Sequence, residues 1–159
     1  MQLPREFYLR KDVLTVARDL LGKLLVVPGP NGERVSGKIV EVEAYRGPED
    51  RASHAYGGRR TKRTETMYRS GGVAYVYFVY GMYYQFNVVS GVADVPHAIL
   101  VRALEPVEEH ATITRLGEGV DRSRVLAPAA IGFLNSTALG AQWFGDLFVG
   151  FSVNDDPLG

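Results

Sequence analysis

Val73 to Ser90 reads V-A-Y-V-Y-F-V-Y-G-M-Y-Y-Q-F-N-V-V-S. β-Branched and aromatic residues fill it, and Gly81 interrupts it near the middle. Such residues suit a pleated, half-buried surface, and a glycine supplies the positive φ of a tight hairpin. The stretch predicts two antiparallel strands joined by a turn at Tyr80-Gly81-Met82. A second hairpin precedes it. Leu24 to Val27 is a short apolar strand, Pro28-Gly29-Pro30-Asn31-Gly32 is a dense turn signal, and Arg34 to Ala44 reads as the returning strand. His97 to Leu104 adds a further strand. Side chains alternate faces in a strand, so Glu41 and Glu43 are expected to share a face with Ile39. Val40, Val42 and Ala44 are then expected to point to the core.

Helical signals flank these strands. Val13, Val16, Ala17, Leu20 and Leu21 follow helical spacing, with Asp12 as N-cap and Gly22 as the stop. Glu105-Pro106 is expected to start a helix that runs to about Leu116 and ends at Gly117. Beyond Val120 the chain is apolar and rich in Gly and Ala, without a clean period. A short helix and one strand, Leu147 to Val153, are all it suggests.

Between the two β regions lies a long polar segment, Tyr45 to Gly72. Loops of this length in a compact domain are functional or disordered more often than not. Seven basic residues fall between Arg46 and Arg69: Arg46, Arg51, Arg59, Arg60, Lys62, Arg63 and Arg69. Glu49, Asp50 and Glu65 oppose them. The formal net charge of the chain is zero, so this is a patch on a neutral protein. A patch suits contact with a few phosphates; a solvated loop of mixed charge is the plainer explanation.

The 159 residues, 46% of them hydrophobic, fit one globular domain. No apolar run reaches the roughly 20 residues that span a bilayer. The opening M-Q-L-P-R-E-F-Y lacks the apolar stretch of a signal peptide. A cytoplasmic protein without membrane association is expected, lying at the nucleoid if the source is bacterial. The absence of cysteine excludes disulfides and thiolate metal sites. His54, His97 and His110 show no metal-ligand spacing, so no metal is expected.

Several residues carry chemistry. Glu43 ends a strand beside the long loop, a rigid base for a catalytic carboxylate. Glu41 lies roughly 7 Å along the same strand. Paired carboxylates serve glycosidic acid/base chemistry, although alternating acids on a solvent face are common. Tyr45 and His54 offer flat faces and a hydrogen-bonding edge for a nucleic-acid base. Tyr80 and Met82 put bulky groups at a hairpin tip. A wedge between base pairs is one use for them; an oligomer contact or a buried corner is the other. Arg102, between Val101 and Ala103, suits a phosphate or a buried acid. Asn87 offers an amide that fixes an acid or reads a base edge.

Five blocks carry a resemblance. They are Ala17–Val26 (A-R-D-L-L-G-K-L-L-V), Ile39–His54 (I-V-E-V-E-A-Y-R-G-P-E-D-R-A-S-H), Gly57–Tyr68 (G-G-R-R-T-K-R-T-E-T-M-Y), Tyr75–Ser90, and Ile99–Pro106 (I-L-V-R-A-L-E-P). In order and spacing they resemble the alkyladenine, or 3-methyladenine (methylpurine), DNA glycosylases of base-excision repair. The resemblance implies an α+β fold, a single domain over residues 1–159 with a curved, largely antiparallel sheet and peripheral helices. It implies that Glu43 activates the water that attacks C1′ of the deoxyribose, with Arg102 helping to hold that water and the nucleotide backbone. Tyr45, His54 and Tyr77 would hold the flipped base, and Asn87 would screen purines by their exocyclic groups. Tyr80, with Met82, would fill the gap left in the duplex. Arg59, Arg60, Lys62 and Arg63 would meet backbone phosphates.

The activity so implied is hydrolysis of the N-glycosidic bond of an alkylated or deaminated purine in duplex DNA. A monomer is expected, with no cofactor and no strand cleavage, because no lysine takes a nucleophile's place. From about residue 120 the chain departs from the family's pattern. A non-catalytic module that recognises damaged DNA is therefore the alternative function, and a hydrolase of free nucleosides is a third.

Overall fold

The structure is a computed structural model and describes residues 2–28, 34–79, 83–107, 125–126 and 150–152. Its elements in chain order are α1 (Arg5–Tyr8), α2 (Val13–Leu20), β1 (Leu24–Pro28), β2 (Arg34–Tyr45), β3 (Ala74–Val79), β4 (Tyr83–Ser90), β5 (His97–Pro106), β6 (Val125–Leu126) and β7 (Gly150–Ser152). The strands form one sheet in the order β3-β4-β5-β2-β1-β7, and β6 pairs with β5. Every pairing is antiparallel. The expected α+β class is the one observed.

Helix α2 forms where its apolar spacing predicts. The Asp12 carboxylate caps it, accepting from the Leu14 N–H at 3.1 Å and from the Thr15 hydroxyl at 2.6 Å. Gly22, at φ +81°, turns the chain out of the helix. Val13, Val16, Ala17 and Leu20 point into a core shared with Leu25, Ile39, Phe86, Val88, Ile99 and Val101. Val16 and Leu20 are fully buried, each contributing roughly 1.5–3 kcal/mol of hydrophobic stabilisation. The short helix α1 has no signal in the sequence. It is held by the sheet, as the Gly91 N–H donates to the Tyr8 carbonyl at 2.7 Å.

The two hairpins follow the sequence. Strands β1 and β2 pair from Leu24 opposite Lys38 to Pro28 opposite Arg34. Strands β3 and β4 pair from Ala74 opposite Val88 to Val79 opposite Tyr83. The tip that carries Tyr80 and Met82 lies outside the described residues. Strand β7 falls within the expected Leu147–Val153 strand, and β6 was not anticipated by any pattern.

Two expectations need correction. The chain does not enter a helix at Glu105-Pro106, because β5 continues through both residues. Glu105 stands opposite Lys38 in the ladder, and their side chains form an ion pair. Pro106 stands opposite Gly37. Cross-strand pairing there overrides the local helix-start signal, Val107 still donates across the sheet to the Ser36 carbonyl at 3.2 Å, and the expected helix beyond Val107 lies outside the described residues. The second correction concerns Ile39. It is fully buried, whereas Glu41 is exposed and Val40 is 38% exposed. The β2–β5 register is irregular between Ile39 and Val42. Such a bulge breaks strict alternation, so Ile39 and Val42 both face the helix-covered core while Glu41 and Glu43 turn away.

The opposite face of the sheet carries a second, smaller cluster: Ala55, Met67, Tyr68, Tyr75, Val89 and Ala98. The long segment between β2 and β3 covers it. That segment is ordered as three short 3-10 turns, Gly47–Glu49, Tyr56–Gly58 and Glu65–Tyr68, and it sinks Ala55 and Met67 onto the strands.

Candidate active site

Four strands place one row of side chains on this second face. Glu43 in β2 pairs with Leu100 in β5, Leu100 with Asn87 in β4, and Asn87 with Tyr75 in β3. With strands about 4.8 Å apart, Glu43 and Asn87 are separated by roughly 10 Å at the backbone. Tyr45 and Tyr77 lie two residues from Glu43 and Tyr75 along their strands, on the same face. The loop adds His54, Ala52 and Met67. Tyr45, Ala52, His54, Met67, Tyr75, Tyr77, Asn87 and Ala98 line an open recess of about 210 Å³. Its walls are largely aromatic, a lining that suits contact with a planar ring.

Hydrogen bonds fix the recess. Asn87 is buried, and its Nδ2 donates to the carbonyls of Tyr75 at 3.2 Å and Gln85 at 3.3 Å. Both bonds use the amide nitrogen, so Oδ1 is the atom left to meet a ligand. His54 Nδ1 lies 2.9 Å from the Tyr75 hydroxyl. Burial first, and then the charge of Arg63, lowers the His54 pKa below its ordinary value, so the ring is neutral at pH 7. The Tyr75 hydroxyl is held protonated, chiefly by burial, which the charge of Arg63 opposes. The phenol donates to Nδ1 when the imidazole proton is on Nε2 and accepts from Nδ1–H when it is not. The ring centroids of His54 and Tyr77 are 4.6 Å apart, and those of Tyr75 and Tyr77 are 5.2 Å apart.

The carboxylate end is built from two strands. Arg102 on β5 donates from Nη1 to Glu43 Oε2 at 2.7 Å and from Nε to Glu41 Oε1 at 3.2 Å. All three side chains are close to half exposed, so these pairs orient groups more than they stabilise the fold. The Tyr45 hydroxyl is raised above its usual pKa, first by burial and then by the Glu43 carboxylate beside it. A carboxylate, an arginine and a neutral phenol thus stand at one side of an aromatic recess.

The loop cations differ from one another. Arg60 is bound by Glu65 through two bonds of 2.9 and 2.6 Å and by Asp94 at 2.6 Å, and it lies over the Tyr68 ring. Arg59, Lys62 and Arg63 are exposed and pair with no carboxylate among the described residues. No group of three or more His, Asp or Glu among the described residues could hold a metal ion. None of the described helices is long and apolar enough to cross a membrane.

Over residues 6–130 the sequence matches the family described as methylpurine-DNA glycosylase. The chain belongs to this family. Provisionally named 3-methyladenine DNA glycosylases are its similar relatives. One from Clostridium acetobutylicum is 59% identical over 108 residues, 68% of this chain and 52% of the relative. One from Chlamydia abortus is 55% identical over 106 residues, 67% of this chain and 55% of the relative. The chain thus spans about half the length of the curated relatives it matches.

Within this methylpurine-DNA glycosylase framework, the structure brings Tyr45, His54, Tyr77 and Asn87 to one recess, with Glu43 and Arg102 at its side. Sequence reasoning missed Tyr75, which links Asn87 to His54, and Met67 on the recess wall. Tyr75 had a signal: it shares strand parity with Tyr77. Met67 had none, because a loop has no period to read.

Proposed function

We propose that this chain is a DNA glycosylase that takes an alkylated or deaminated purine out of duplex DNA and hydrolyses its N-glycosidic bond. The observation that carries the reading is the row that sets the Glu43 carboxylate at the side of an aromatic recess floored by Asn87 and Tyr75. A purine cannot be attacked at C1′ within the stack, so it must flip, which costs a few kcal/mol and least for a lesion that pairs poorly. Tyr45, Tyr77 and the neutral His54 offer faces for the flipped base. Asn87 Oδ1 offers an acceptor for its edges, and His54 Nε2 a donor or an acceptor according to the tautomer.

The chemical step needs little more. Alkylation of a ring nitrogen gives the base positive charge, so it leaves with the electron pair of the C1′–N bond; a neutral deaminated purine must also take a proton from water on a ring nitrogen as it leaves. Water adds to C1′, and Glu43 accepts its proton while its charge favours the oxocarbenium-like centre. Arg102 holds the carboxylate from the neighbouring strand and can meet the nucleotide's phosphate. Arg59, Lys62 and Arg63 supply further phosphate contacts, and Tyr80 and Met82 act as the wedge in the emptied stack. The reading includes a monomer, hydrolysis without strand cleavage, and no metal or organic cofactor.

Glu43→Gln tests the reading. Release of 3-methyladenine from alkylated duplex DNA should fall to background while lesion binding persists. Retained release would remove Glu43 from the reaction. Lesion binding without release by the parent chain itself would favour a non-catalytic damage-recognition module. Failure to bind duplex DNA at low salt would instead favour a hydrolase of free nucleosides.

A further inference from the structure

Arg63 stands apart from the other basic residues of its loop. Its guanidinium carbon lies 5.1 Å from the centroid of the Tyr77 ring, within the range of cation–π attraction. Arg60, three residues earlier, is tied to two carboxylates, but Arg63 is exposed and has no such partner among the described residues. Its charge reaches His54 and Tyr75 as well, lowering the pKa of the first and opposing the burial that raises the second. A planar, delocalised cation therefore already sits against the aromatic wall of the recess.

An N-alkylated purine is also a planar, delocalised cation. The two groups favour the same ring and repel each other. We infer that Arg63 is an internal occupant of the Tyr77 ring which a cationic purine must displace, so that this residue sets how the recess ranks cationic against neutral bases. The inference rests on reading the recess as a base pocket. An exposed guanidinium without a carboxylate has a ready second partner, since arginine binds phosphate oxygens through charge-assisted, often bidentate, hydrogen bonds. A DNA phosphate near the loop would draw Arg63 off Tyr77 and clear the ring. Arrival of the backbone and opening of the aromatic wall to a cation are thereby coupled. A neutral purine meets no such repulsion, so it gains less from the exchange.

Two measurements without DNA test this. The first compares binding of 3,9-dimethyladeninium, a permanent cation, with 9-methyladenine, its neutral counterpart, by tyrosine fluorescence in the parent chain and in Arg63→Gln. The variant should bind the cation about fivefold to tenfold more tightly and the neutral base with less than about a twofold change. The second follows the His54 ring by NMR through a pH titration, and Arg63→Gln should move its midpoint upward. An unchanged ratio of cation to neutral binding, or weaker cation binding, would overturn the inference, and an unmoved His54 midpoint would overturn the contact itself. Neither readout uses base release, so loss of the glycosylase reading alone leaves both intact. If neither protein binds either base, the recess reading fails and the inference with it.

Discussion

The guanidinium of Arg102 donates to the carboxylate of Glu43 across 2.7 Å, from the strand next to it. The same guanidinium also reaches Glu41. Two carboxylates therefore share one cation, and Glu41 limits how firmly Arg102 holds Glu43.

Glu41→Gln should expose that competition. The pairs are close to half exposed, so stability should change by no more than about 0.5 kcal/mol. Arg102 would then bind Glu43 alone and hold it more firmly. Base release should change in rate while lesion binding stays within about twofold. Single-turnover rates check this; an unchanged rate counts against a role for Glu41.

Tyr75→Phe removes the phenol 2.9 Å from His54 Nδ1 and keeps the ring. The lost hydrogen bond should cost about 1 kcal/mol. The imidazole should lose its preference for one tautomer, which 15N chemical shifts of the ring report directly. Base binding should weaken if His54 Nε2 meets the base.

Gly71→Ala should destabilise the fold from outside the recess. An added Cβ would lie 2.5 Å from the Tyr8 carbonyl oxygen and 3.1 Å from that of Gly91. Backbone sits on both sides, so the strain cannot relax through a side chain. A loss of about 1–3 kcal/mol is expected, read as a fall of several degrees in Tm. A Tm equal to that of the parent would show that α1 is free to move away from the sheet.

Stability should also fall on acidification. His54 and His97 are both held below the ordinary histidine pKa, chiefly by burial, with Arg63 and Arg46 respectively adding to the effect. Glu49 and Asp12 partly offset it at His97. Each folded pKa lies below its unfolded value, so the unfolded chain binds more protons as pH falls through about 6.5. The stabilisation is present above that pH and is lost below it, down to the depressed folded pKa. Thermal melts between pH 7 and 5 should show a declining Tm, and His97→Leu should flatten the decline. His97 Nδ1 is buried without a partner, so the replacement leaves no hydrogen bond unmade.

Period and turn chemistry carried much of the fold into view. The α2 face, both hairpins and most of β5 are legible because apolar spacing and glycine-rich turns report local geometry. The end of β5 is not, since Glu105 and Pro106 follow Lys38 and Gly37 across the sheet rather than their own helix-start pattern. Ile39 fails for a related reason: a bulge is a property of two strands, and one strand's alternation cannot announce it. At the site, Glu43, Tyr45, His54, Asn87 and Arg102 stand out as unusual residues in strand or loop contexts. Tyr75 hides among eight other tyrosines, and the Arg60 tie to Asp94 joins residues 34 positions apart.

The row Glu43, Leu100, Asn87 and Tyr75 makes the sheet itself a ruler. The separation of the carboxylate from the base floor is counted in whole strands, and the ladder hydrogen bonds of three strand pairs set it. Side-chain substitution can alter what stands at each mark but cannot move the marks. A one-residue slip of β4 against β5 would turn Asn87 away from the recess and bring Phe86 or Val88 into its place. Substitutions at the ends of the row, in Tyr45, His54 and the loop, are therefore free to reshape the recess while the distance from the Glu43 carboxylate to its floor stays constant.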